Sequence, residues 1–276
     1  MNIRYVYFSF LDNFTLFFLA KIIIYIFLIV QMRKLQVRRQ LRELSICAPL
    51  SGFPKSIVQL KHFEKIVICH APFKTFPEEL CDGHSLKCLV LRNCSEMIAL
   101  PDSLEKLTNL QVIDLTNASS LQLLLNSFGN LIGLEYLSLR GCPNLTVSND
   151  TFGNITTLKY LDLQGCSNLK ELPPQVAHQQ SLVRLDMSAR ILNELTGNGI
   201  GDLSKMEVLD LGGGRLLKMP PLLLVLKNLK ELWLFDCPEL KRLPSSSGLL
   251  IELREFKFKI QNCLHWNNFI NSSIPS

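Results

Sequence analysis

No G-x-x-x-x-G-K-[ST] run occurs in the 276 residues, so no phosphate-cradling loop follows from the sequence. Its nearest glycine clusters, Gly212-Gly213-Gly214 and Gly197-Asn198-Gly199, are short breaks without the lysine that such a loop needs. Net charge is also scarce where it would matter. Of the +5 total, residues 1–30 carry +1 and residues 31–42 carry +5, which leaves −1 on residues 43–276. A nearly neutral body excludes the basic footprint of a nucleic-acid binder. Histidine is sparse: His62, His70, His178 and His265 are scattered, without a Ser or Cys partner at any recurrent spacing, and nothing favours a catalytic triad. Cysteine is present nine times, an odd number that makes no complete disulfide scheme and reads as free thiols in a reducing compartment. No enzyme chemistry, cofactor or small-molecule substrate is expected.

What the chain has instead is a ladder. The pattern φ-x-x-φ-x-φ, with φ apolar, begins at Leu41, Phe63, Leu86, Leu110, Leu134, Leu158, Leu182, Met206, Leu229 and Leu253. The spacing is always 22 to 24 residues, and every φ is apolar. A period of that length means a solenoid whose units bury their apolar edges only by stacking. Within Leu134-Glu135-Tyr136-Leu137-Ser138-Leu139, alternation of period two predicts a short strand with one face inward. Neighbouring strands lie side by side and parallel, about 4.8 Å apart. Ten of them make a sheet roughly 45 Å long. Cys94, Cys142, Cys166 and Cys237 fall on the ninth repeat position and Cys47 and Cys69 on the seventh, so their recurrence is structural. Cys81-x-x-His84-x-x-x-Cys88, near Cys94, has metal-like spacing, but the ladder sends Cys88 outward and Cys94 inward. No metal site is expected.

After each strand a second apolar set follows, as in Cys166-Ser167-Asn168-Leu169-Lys170-Glu171-Leu172-Pro173. Proline suits the turn into a short convex segment, and Asp102–Leu107 has helical spacing with Leu104 and Leu107 inward. Residues 118–135 and 142–157 lack the Leu-Pro step, which leaves open a local bend or simple drift. These features identify a leucine-rich repeat over residues 41–261. The expected fold is an α/β solenoid: an arc of about ten repeats, a parallel β-sheet on the concave face and short helical or 3₁₀ turns on the convex face. The segments LRGCPNL, LDLQGCSNLKELP and LWLFDCPELKRLP resemble the repeats of plant intracellular disease-resistance proteins. That resemblance implies a sensor or regulatory surface that binds a protein, either pathogen-derived or a host regulatory domain.

The first forty residues are different in kind. Phe14–Val30 holds thirteen Leu, Ile, Phe and Val residues. They contribute about −4 to −8 kcal/mol toward insertion against roughly +3 for Lys21. Residues 1–31 therefore read as a transmembrane or signal-anchor helix, and 32–40 as a basic juxtamembrane segment. By the positive-inside rule the repeats face the cytosol. A second reading is a receptor-like protein anchored in the membrane with glycosylated repeats outside the cell, through the sequons at Asn93, Asn117, Asn144, Asn149, Asn154 and Asn271. A third starts a soluble cytoplasmic chain at Met32. Residues 262–276 form a C-terminal tail. Neither end of the solenoid shows a polar cap, so the chain reads as a piece, or a partial relative, of a larger receptor. A ubiquitin-ligase substrate adaptor is a further alternative, but residues 31–62 supply no F-box-like segment.

Ligands would meet the concave face. Between the last two apolar rungs runs a row that includes Asp114, Ser138, Asp162, Asp186, Asp210 and Trp233, expected to face solvent. Three of its aspartates stand on successive strands about 5 Å apart, a repulsion that Arg184 partly offsets. Flanking rows add Tyr136 and Tyr160, then Arg140 and Phe235. Tyr, Trp and Arg dominate binding hot spots. Tyr136, Tyr160, Arg184, Trp233 and Phe235 are thus the expected anchors. The alternative is that the aspartates belong to the repeat consensus and the aromatics merely cover the sheet.

Overall fold

The computed structural model describes residues 7–9, 42–47, 62–148, 150–177, 179–188, 203–212, 226–235 and 255–259. A concave sheet is built from β1 (Tyr7–Ser9), β2 (Glu43–Cys47), β3 (Lys65–Cys69), β4 (Cys88–Arg92) and β5 (Val112–Asp114). It continues through β7 (Tyr136–Ser138), β9 (Tyr160–Leu163), β10 (Arg184–Met187), β11 (Val208–Asp210), β12 (Glu231–Phe235) and β13 (Glu255–Lys259). These eleven strands lie in chain order, each parallel to the next. Register follows the repeat: Leu137 pairs with Leu161, and Asp162, Asp186 and Asp210 are successive partners. Alternation does the rest. Leu137, Leu139, Leu161 and Leu185 point inward and are fully buried, while their neighbours face the concave side.

Opposite the sheet, the chain makes 3₁₀ turns at Glu78–Asp82, Asp102–Lys106 and Asn126–Asn130, and one α-helical turn at Pro174–Ala177. Pro77 and Pro101 open the first two turns with φ of −62° and −72°. Leu125 opens the third with φ of −72°, so the backbone reaches the proline conformation without proline. In the following repeat a hydroxyl serves. Thr151, fully buried, receives the Ser148 N–H at 3.1 Å and donates to the Leu124 carbonyl at 3.2 Å. A second ladder of isolated bridges and two short strands, β6 (Leu123–Leu124) and β8 (Thr146–Val147), joins Thr75, Ala99, Leu123 and Thr146. The repeats without the Leu-Pro step thus stay in line with their neighbours rather than bending away. Phe128 and Phe152 meet edge to face at 6.4 Å beneath this side.

At five consecutive strand exits, after β3, β4, β5, β7 and β9, the chain turns through a left-handed residue. His70, Asn93, Asn117, Gly141 and Gly165 have φ of 60°, 55°, 61°, 69° and 76°, one per repeat. His and Asn tolerate this region better than most side chains. At Gly141 a Cβ would also meet the Asn117 side-chain oxygen, which would have to swing aside.

The N-terminal segment differs in part from expectation. Tyr7–Ser9, within residues 1–31, is a strand rather than helix, and it pairs in parallel with β2. Pairing covers an edge that would otherwise be open. Residues 14–30, the expected membrane span, lie outside the described residues, as do 32–40 and 262–276. Among the described residues no helix is long and apolar enough to cross a membrane.

Candidate functional site

The concave face carries two superposed layers. The lower is the aspartate row. Asp114, Asp162, Asp186 and Asp210 are only 2 to 7 % exposed, and Ser138 is 2 % exposed. They do not face solvent as the alternation suggested, because longer side chains from the flanking rows fold over them. Three of the carboxylates accept the N–H two residues ahead, from Thr116 at 3.0 Å, Gln164 at 2.9 Å and Gly212 at 2.9 Å. The row therefore ties down the strand exits, as an aspartate in a turn does.

Asp114, Asp162 and Asp186 also find cationic or hydroxyl partners. Arg92 clasps Asp114 through two nitrogens at 2.7 and 2.6 Å, and the Thr116 hydroxyl donates to the same carboxylate at 2.6 Å while meeting Ser138 at 3.0 Å. Arg184 holds Asp186 with three contacts between 2.9 and 3.1 Å. Arg140 approaches Asp162 at 3.8 Å. The Tyr160 hydroxyl donates to Asp186 at 2.9 Å and stands 3.4 Å from Asp162. Burial pushes the Asp162 carboxyl up to about 6, with the Asp186 charge adding to the rise. Asp210 is raised in the same direction, again first by burial. The Tyr160 hydroxyl is raised by burial and then by Asp186, so it stays protonated and donates.

The upper layer is a ridge. Tyr136 and Tyr160 stack face to face, centroids 4.4 Å apart and 6° from parallel. The Arg184 guanidinium lies 5.6 Å from the Tyr160 ring and 4.5 Å from the Trp233 ring. Trp233 meets Phe235 edge to face at 6.2 Å and donates its indole N–H to Glu231 at 3.0 Å. Each contact is of a kind worth about 0.5–1.5 kcal/mol. Together they form one unbroken line across β7, β9, β10 and β12. On β11 the register position is Val208, too small to stack, and Arg184 spans it. All five expected anchors are therefore brought together. Arg140 stays more than half exposed beside them. Sequence reasoning placed Glu231 on this face, in the row of Tyr136, Tyr160 and Arg184, but missed Arg92 and Thr116, although their row and spacing were readable.

Beyond this face the metal-like spacing disperses. Cys81 is buried behind the first convex turn with its sulfur toward the Pro77 carbonyl, and Cys88 is half-buried on β4. Among the described residues no group of three or more His, Cys, Asp or Glu could hold a metal ion.

Parallel strands in unbroken order, one inward leucine ladder and a left-handed exit in repeat after repeat define the architecture. It is the leucine-rich-repeat fold. Among solved structures, the repeat domain of the type III effector XopL is similar, with 24 % identity and a TM-score of 0.53, covering 81 % of this chain and 70 % of that one. Such a likeness carries the fold alone. No family model matches the sequence, and no curated protein does.

Proposed function

We propose that this leucine-rich-repeat chain is a non-enzymatic recognition module that holds a protein partner on its concave face. One observation carries the reading: Tyr136, Tyr160, Arg184, Trp233 and Phe235 form a single continuous ridge, held from below by a buried carboxylate row. Leucine-rich-repeat solenoids commonly bind proteins, and extended concave surfaces suit that role. Pre-stacked aromatic and guanidinium groups lose little side-chain freedom on binding, and they are the types that anchor hot spots. The finer reading is a defence-related sensor surface, supported by the resemblance of LRGCPNL, LDLQGCSNLKELP and LWLFDCPELKRLP to plant resistance repeats. Its partner is a pathogen-derived molecule or a host regulatory domain. The proposed placement is a single membrane pass through residues 14–30 with the repeats on the cytosolic side, and it requires Tyr7–Ser9 to leave its pairing with β2, because one pass sets the two segments on opposite sides of the membrane.

The test is the double variant W233A/F235A, assayed for capture of interacting proteins by the immobilised full chain and for folding by circular dichroism. Loss of at least about tenfold in capture is expected with the spectrum unchanged, since each hot-spot truncation costs about 2 kcal/mol or more. Undiminished capture by a folded variant refutes the ridge. Placement is read separately, by protease protection and glycosidase mobility of a C-terminally tagged full chain. Membrane-bound, accessible and unglycosylated repeats are expected; protected, glycosidase-sensitive repeats would reverse the topology.

A further inference from the structure

Cys47 closes β2 and Cys69 closes β3, and the two are register partners in a parallel ladder. Such pairing sets Cα atoms about 4.8 Å apart, within the span a disulfide bridges. Both occupy the position after the last inward rung, so both side chains leave the sheet on the concave side, and both are half-buried. Their sulfurs lie 3.1 Å apart. A disulfide places them about 2.05 Å apart, so an approach of about 1 Å closes the bond.

The other described cysteines lack this arrangement. Cys142 and Cys166 are buried and directed at the Leu115 and Leu139 carbonyls at 3.4 and 3.1 Å. Cys94 is buried beside the Arg92 carbonyl. Cys88 has Lys65 and Val112 as register partners, not cysteine. Recurrence of cysteine at the seventh repeat position is therefore more than a packing preference. It places two thiols on adjacent strands, on the side a small reagent can reach.

We propose that Cys47 and Cys69 form a dithiol site that exchanges with small-molecule disulfides and closes to an intramolecular disulfide across β2 and β3. Either thiol can open the exchange with the same product, the two being register partners; in one order Cys47 attacks first. Its thiolate attacks one sulfur of the small disulfide. That S–S bond breaks, a mixed disulfide forms on Cys47, and the first small thiolate leaves with the electron pair and takes a proton. Cys69 then loses its proton to water and attacks the Cys47 sulfur. The mixed disulfide breaks and the second small thiolate leaves. Two protein thiols are oxidised and one small disulfide is reduced to two thiols. The result is a covalent tie between neighbouring strands 22 residues apart in sequence.

The experiment uses the full chain with oxidised glutathione as the probe. Remaining thiols are alkylated, and the unreduced digest is read by mass spectrometry. The expected main product is the Cys47–Cys69 link with no glutathione retained, and a thiol reductant restores both thiols. C69S should keep one glutathione on Cys47, because the resolving thiol is gone. C47S should likewise keep one glutathione on Cys69, for the same reason. In urea the preference for this pair should vanish into mixed links. Retained glutathione on the wild-type Cys47 with Cys69 still alkylatable overturns the proposal. So do links to Cys88 or Cys94 in comparable yield, or an equally dominant Cys47–Cys69 link in urea, which would credit sequence proximity rather than the ladder.

Discussion

Asp162 lies between the Asp186 carboxylate on the next strand and a cover of tyrosine, and its carboxyl is raised to about 6. A carboxyl raised on folding favours the folded chain while protonated. That advantage is complete below about pH 4 and is lost as the pH rises through about 6. D162N keeps an oxygen for the Gln164 N–H but cannot ionise. The stability of the wild type relative to D162N should therefore fall by roughly 2 kcal/mol between pH 4 and pH 7. Urea unfolding of both proteins at each pH reads this directly, and a flat difference would show that Asp162 does not titrate as described. Asp114 serves Arg92 and Thr116 together. D114A should cost about 1–2 kcal/mol by taking the acceptor from exposed Arg92 and half-buried Thr116, seen as a lower urea midpoint. The positions of these aspartates were legible in the sequence, on one row and on successive strands. Their burial was not. Whether a side chain on a sheet face is wet depends on what the flanking rows lay over it, and Tyr136, Tyr160 and Arg184 do so by rotamers that spacing does not encode.

The elements were the most readable level. A constant interval sets the register, and the rows expected from it are the rows that pair: Tyr136 with Tyr160, Asp186 with Asp210 and Asp210 with Trp233. The convex side was read through proline, and there the reading was too narrow. Leu125 takes the same φ as Pro101, and extended Leu124 before it suits a following proline. L125P should raise the thermal midpoint, by an increment worth about 0.4–1 kcal/mol, through a smaller unfolded ensemble. A lowered midpoint would mean that the Leu125 N–H or side chain matters more than φ. The left-handed column at the strand exits was readable as His, Asn, Asn, Gly and Gly at one repeat position, and sequence reasoning passed over it. G141A should cost at least about 1–3 kcal/mol, since alanine at that φ is strained and its Cβ meets Asn117. Chemical denaturation measures it, and a loss below 0.5 kcal/mol, roughly the error of such fits, would sink the argument.

As a molecule the chain is an array in which a strand leans on two neighbours. Leu137, fully buried at the centre, pairs with Ile113 and Leu161. L137A should cost about 2–5 kcal/mol. Because coupling is nearest-neighbour, hydrogen exchange should quicken in β5, β7 and β9 and stay slow in β3. Equal loss in β3 would mean that the array opens as one unit. At this scale the strand at Tyr7–Ser9 escaped notice in the sequence, because three residues beside a long apolar run carry no period of their own; the sheet edge they cover is what selects them. The ridge has a consequence of its own. Its members come from four repeats, and its two halves meet where Arg184 crosses over Val208 to Trp233. Duplicating or deleting one whole repeat would leave every ladder bond intact, yet would shift the two halves of the ridge apart or together by a fixed step of about 4.8 Å. The reach of this surface is thus quantised: its lineage can retune what it grips by counting repeats, without redrawing a single anchor.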